Sequence, residues 1–175
     1  MHIDGSRLSN AAVSLKKSFK EITTDLGVDV ISFGGTKNGL MMGEAVIFPS
    51  KPLAVDFKYI RKQCAQLPSK SRFIAAQFLA YFQDGLWKEI AEHSLKMAAV
   101  LYEKSQGLDG VKLRGAPESN AVFATIPQAW VKPLRDQYFF YVWDEHTFEC
   151  RWMTSWDTRP EDIDGFTNKL KELSR

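Results

Sequence analysis

Asp29-Val30-Ile31-Ser32-Phe33-Gly34-Gly35-Thr36-Lys37-Asn38-Gly39-Leu40 passes from an apolar run into a glycine-rich turn that carries a lysine. Residues 28–33 form a short β-branched run of strand character, and Gly34-Gly35 breaks it. Lys37 follows at once. Upstream, Met1-His2-Ile3 reads as the tail of a strand, with the chain beginning inside it. Residues 8–23 read as a helix: Ser9 or Asn10 could cap it, and Ala12, Leu15, Phe19 and Ile22 recur at helical spacing. Downstream, residues 44–48 read as a second buried strand, closed by Pro49. Strand, helix and strand around a glycine turn are an α/β pattern.

From Lys51 the pattern changes. Helices are expected over residues 52–66, 71–83 and 84–106. In the last of these, Leu86, Ile90, Met97 and Leu101 make an apolar stripe, the signature of a core face, and Gly107 stops it. Three strands are expected over 122–126, 138–143 and 148–153, with a helix over 129–136 between the first two. A closing helix opens at Thr158-Arg159-Pro160-Glu161, read as a capping box, and Ile163, Phe166, Leu170 and Leu173 share one face. This later part is expected to be an α+β unit with a mainly antiparallel sheet, divided from the first near residues 50–56.

Bulk properties narrow the function. The 175 residues suffice for one ordinary domain or two small ones. A net charge of +2 with scattered basic residues argues against nucleic acid or an anionic membrane as partner. No run approaches the ~18 apolar residues of a membrane span, and no signal-peptide stretch opens the chain. The longest apolar stretches, 39–42 and 139–143, suit buried strands or turns. Cys64 and Cys150 form no CxxC, and with His2, His93 and His146 they make no zinc-like pattern, so no metal is expected. Two unpaired thiols suit a reducing, cytoplasmic compartment, where buried or inert cysteines are the usual case.

Asp4 and Lys37 each lie just past an expected strand. In open α/β sheets ligands gather outside the carboxyl ends of strands, and strands joined by one helical crossover tend to lie parallel and near each other. Both side chains could therefore face one crevice. A lysine amine that forms an imine and moves protons, with a carboxylate that keeps a pyridine nitrogen protonated, is the pair that pyridoxal phosphate (PLP) chemistry needs. An arginine would fix a substrate carboxylate through a forked contact; Arg7 and Arg151 are candidates. Each residue has a simpler reading as well. Asp4-Gly5-Ser6 is also a turn or cap sequence, and a lysine in a glycine-rich turn also suits solvent or phosphate. Arg151 could pair with a carboxylate such as Asp157.

At these residues the chain resembles the threonine aldolase branch of the β-eliminating lyase family, fold type I PLP-dependent enzymes. The likeness begins with His2-Ile3-Asp4-Gly5-Ser6-Arg7-Leu8, similar to a His-x-Asp-Gly-Ala-Arg segment with Ser6 where alanine is usual. It continues through the lysine turn, Met42-Gly43-Glu44-Ala45-Val46 and Gln66-Leu67-Pro68-Ser69-Lys70-Ser71-Arg72-Phe73, and closes with Arg151-Trp152-Met153-Thr154-Ser155-Trp156-Asp157-Thr158. These blocks run the length of the chain in the family's order.

The resemblance implies the C-terminal portion of a large PLP-binding domain over 1–53 and a small α+β domain over 54–175. It implies Lys37 as the lysine bound to PLP, Asp4 at the pyridine nitrogen, Arg7 beside the cofactor and the substrate carboxylate, and Arg151 on that carboxylate. Arg72 matches an arginine of a glycine-rich segment, here with Pro68-Ser69-Lys70 in place of the glycines; Arg72 and Lys62 are candidates for a phosphate or interface role. The implied reaction is aldol cleavage of L-threonine or L-allo-threonine to glycine and acetaldehyde, in a homodimer or homotetramer. The likeness also implies a longer parent, with a phosphate cup and ring-stacking residue before Met1. Two other readings share this ancestry: a non-catalytic remnant or interaction module, and a PLP-dependent β-elimination on another amino acid.

Overall fold

The computed structural model describes all 175 residues. Its contacts divide the chain into two compact units, Met1–Ala91 and Glu92–Arg175.

The first unit holds a three-stranded sheet in the order β1-β2-β3. Strand β1 (His2–Gly5) pairs in parallel with β2 (Val30–Gly34), and β2 pairs antiparallel with β3 (Glu44–Ile47). Between β1 and β2 runs helix α1 (Leu8–Leu15). It is shorter than the expected 8–23, because Lys16 turns left-handed (φ 54°). A separate turn follows, in which the Ser18 N–H and Oγ both donate to Glu21. Ser9 and Asn10 lie buried inside α1 rather than at its cap, which falls on Arg7. Helices α2 (Phe57–Gln63) and α3 (Ser71–Phe82) complete this unit. Phe33 of β2 is its packing centre, ringed by Phe19 and Phe82, each at 5.5 Å, and by Phe78 and Tyr81, each at 6.4 Å. That packing is why α3 counts with the first sheet and the compact units divide later than residue 53. The expectation of a buried 44–48 strand fails: three of the four β3 residues are exposed. Met41 and Phe139, in the two stretches expected to be buried, are also exposed.

Helix α4 (Leu86–Ser105) carries the chain from one unit into the other, and Gly107 ends that run with φ 71°. The second unit is α+β. Its strands β4 (Lys112–Leu113), β5 (Ala121–Thr125), β6 (Tyr141–Asp144) and β7 (Glu149–Met153) form one antiparallel sheet in the order β4-β5-β7-β6. Strands β5 and β7 alternate buried and half-buried residues, the mark of a sheet with one covered face. Val122, Ala124, Cys150 and Trp152 point to the covered face, against Met97, Ala98 and Leu101 of α4 and Leu134 of helix α5 (Gln128–Arg135). Ile163, Phe166 and Leu170 of helix α6 (Pro160–Leu173) complete this core, as their spacing predicts. The cap of α6 is Arg159, whose N–H donates to the Asp162 carboxylate at 2.9 Å, one position later than expected.

Candidate active site

Asp4 and Lys37 come from neighbouring strand ends. Parallel pairing sets Asp4 beside Ser32 and Gly5 beside Phe33, so β1 and β2 finish side by side. Lys37 sits in the turn Thr36–Asn38, three residues beyond the end of β2. That turn lies hard against its neighbours. A Cβ on Gly34 would fall 2.5 Å from the Ser6 carbonyl oxygen, and one on Gly35 would fall 2.4 Å from that of Gly43. Only glycine permits either approach. Asn38, 2 % exposed, donates its side-chain amide to the Gly34 oxygen at 2.6 Å and to the Ser6 oxygen at 3.2 Å. The two loops are thereby tied together. The Gly35 N–H donates to the Gly43 oxygen at 3.1 Å, and the Gly43 N–H donates to Thr36 Oγ1 at 3.2 Å, which closes the Lys37 loop.

The electrostatics follow from this arrangement. Ser6 holds the Asp4 carboxyl below its ordinary value through a hydroxyl bond of 2.5 Å and a backbone N–H bond of 3.0 Å, both to Oδ1. The positive charges of Lys37 and His2 act in the same direction. His2 shares a strand face with Asp4, and its Nε2 lies 2.8 Å from Ser32 Oγ. Asp4 Oδ2 accepts no hydrogen bond, and Lys37 makes no ion pair. An ionised carboxylate and an amine at one sheet end, the amine on a glycine-built loop, suit a flat cationic heterocycle with a carbonyl to be captured. On these residues, PLP fits.

Arg7 occupies the cap position of α1, directly after the Asp4–Ser6 turn, and is half-buried. Lys62 lies on the exposed helix α2. Arg72 opens α3, exposed, with its guanidinium over the Phe73 ring at 5.2 Å. No hydrogen bond or ion pair joins Lys62 or Arg72 to Asp4 or Lys37.

Arg151 belongs to the second unit, on the sheet face away from the core. Register sets it beside Tyr141 on one side and Phe123 on the other. Its guanidinium lies over the rings of Trp143 (4.6 Å) and Tyr141 (5.5 Å). It does not pair with Asp157, which accepts from the Ser155 hydroxyl instead. Its Nε is buried and has no partner. A buried guanidinium N–H without an acceptor is costly, and a carboxylate ligand would satisfy it.

Sequence reasoning missed Asn38, Trp143 and the hydroxyl role of Ser6. Strand alternation could have placed His2 on the Asp4 face. Nothing local marks Asn38 as the tie between two loops, since its acceptors lie up to 32 residues away.

Residues 1–128 match the beta-eliminating lyase family. The whole chain is 40 % identical to the low specificity L-threonine aldolase of Pseudomonas aeruginosa, covering 49 % of that protein. It is 39 % identical to the enzyme of the same name from another Pseudomonas, over 90 % of this chain and 46 % of the relative. Among solved structures, the threonine aldolase of Leishmania major superposes over 99 % of this chain and 52 % of its own, with a TM-score of 0.85 and 28 % identity. The chain spans about half the length of the curated relatives it matches.

Proposed function

Since the chain belongs to the beta-eliminating lyase family, we propose that it serves a PLP-dependent carbon–carbon lyase that cleaves L-threonine or L-allo-threonine to glycine and acetaldehyde. The observation that carries this reading is the convergence of Asp4 and Lys37 at the ends of two paired parallel strands.

Lys37 would hold PLP through its side-chain amine. Asp4 would hold the pyridine nitrogen and keep it protonated. Arg7, beside the cofactor, and Arg151, with its unpartnered Nε, take the substrate carboxylate. The chemistry that bound PLP supplies is a sink for the electron pair left at the α-carbon when the Cα–Cβ bond breaks. Lys62 and Arg72 serve the phosphate or a subunit interface. Residues 1–53 belong to the large PLP-binding domain. Residues 54–175 belong to the small α+β domain, whose helix α3 packs on the large-domain sheet. The assembly is a cytoplasmic homodimer or homotetramer, and no helix of this chain is long and apolar enough to cross a membrane.

The test is product analysis. PLP-supplied protein given L-threonine is expected to release glycine and acetaldehyde in equal amounts. Pyruvate from L-serine instead would assign the chain to β-elimination. Neither product from folded, PLP-loaded protein would leave only a non-catalytic remnant.

A further inference from the structure

Ser6 stands where the resembling segment usually carries alanine, and it makes contacts that alanine cannot. Its hydroxyl donates to Asp4 Oδ1 at 2.5 Å, alongside its own backbone N–H at 3.0 Å to the same oxygen. An alanine would keep only the backbone bond. The Ser6 carbonyl is fixed in turn by the Asn38 amide, so the hydroxyl is presented from a backbone that is itself held. Both donors converge on one carboxylate oxygen and leave the other, Oδ2, without a donor.

We propose that Ser6 is a positioning residue, whose hydroxyl pins the Asp4 carboxylate by Oδ1 and offers Oδ2 as the single oxygen for the cofactor's pyridine nitrogen. This rests on the assignment of Asp4 to that nitrogen. An ordinary carboxylate is ionised at neutral pH without help, so the gain is not ionisation. The gain lies in two other properties. The carboxylate is held in one orientation before the cofactor arrives, which lowers the ordering cost of binding. A carboxylate already hydrogen-bonded is also a weaker proton acceptor, so a proton shared with the pyridine nitrogen stays on the nitrogen. Lys37 and His2 are the charged or titratable groups that also act on Asp4, and neither is altered by changing Ser6.

The test compares Ser6→Ala and Ser6→Thr with the parent protein. The Asp4 carboxyl is titrated by carbon-13 NMR before cofactor is added, and PLP affinity is then read from the visible absorption band. Ser6→Ala is expected to move the Asp4 midpoint upward toward 3.8, its ordinary value, and to weaken PLP binding on the order of threefold, the ordering cost of one side chain. Ser6→Thr, which keeps the hydroxyl, restores both. An unmoved Asp4 midpoint in Ser6→Ala overturns the inference, as does unchanged PLP affinity beside a moved midpoint. Absence of any band in the parent protein overturns the PLP reading and the cofactor role of Ser6 with it, while the Asp4 titration still decides whether Ser6 pins the carboxylate.

Discussion

Asn38 donates its side-chain amide to the carbonyl oxygens of Ser6 and Gly34, and so joins the loop after β1 to the loop that carries Lys37. Asn38→Ala would leave one buried and one part-buried acceptor unpaired. The expected cost is about 1 to 3 kcal/mol, read as a lower midpoint in urea unfolding. Asn38→Asp should also fail, because a carboxylate has no N–H for either oxygen. A variant as stable as the parent would mean that the two loops are held by other contacts.

Tyr81 packs against Phe33, and its hydroxyl lies 2.6 Å from that of buried Ser9. Burial pushes the Tyr81 phenol above its ordinary 10.0, and the Ser9 bond only partly opposes this. The folded state therefore keeps this proton to higher pH than the unfolded chain does. The resulting stabilisation is full below pH 10.0 and is lost as pH rises through the folded value. Tyr81→Phe should cost about 1 to 2 kcal/mol at neutral pH, since it orphans the Ser9 hydroxyl. The gap to the parent should narrow above pH 10.0, as measured by chemical denaturation at a series of pH values.

How much of this was legible in the sequence depends on the range of the interaction. Strand β2, the glycine break and Lys37 were readable because β-branched residues and glycine act on their own backbone. Helix α6 was readable because Ile163, Phe166 and Leu170 need only a 3.6-residue period to share a face. The end of α1 was overrun because apolar spacing continued through Phe19 and Ile22. Ser18-Phe19-Lys20-Glu21, which starts the separate turn, was a local signal that went unread. Exposure of β3 could not be read from its apolar composition. Of the candidate site, Asp4 and Lys37 stood out as residue types in context. The Ser6 grip, the Asn38 tie and the Trp143 contact with Arg151 are tertiary or side-chain geometries that no periodicity encodes.

The two cysteines should behave differently. Cys150 is fully buried, and burial pushes its thiol up to about 11, so at neutral pH it is neither accessible nor ionised. Cys64 is exposed. A thiol-titrating reagent should label Cys64 alone in the native protein and both residues after unfolding. Labelling of Cys150 at the native rate of Cys64 would contradict the packing of β7 against α4 and α6.

Arg151 should not be replaceable by lysine. Lysine keeps the charge but loses the planar fork and its stacking on Trp143 and Tyr141. Arg151→Lys is expected to raise KM for the amino acid about tenfold, with a smaller effect on kcat, as removal of a ground-state carboxylate contact does. Trp143→Ala should move KM the same way by less. Steady-state kinetics on L-threonine checks both, and an unchanged KM in Arg151→Lys would remove Arg151 from the substrate site.

Whether Lys37 carries the cofactor is decided by covalent trapping. Protein incubated with PLP is reduced with borohydride, digested and examined by mass spectrometry. The expected result is a visible absorption band that vanishes on reduction, with one pyridoxyl group on the peptide containing Lys37, and neither in Lys37→Ala. A band retained in Lys37→Ala, or a pyridoxyl group fixed on another lysine such as Lys62, would contradict the assignment of Lys37.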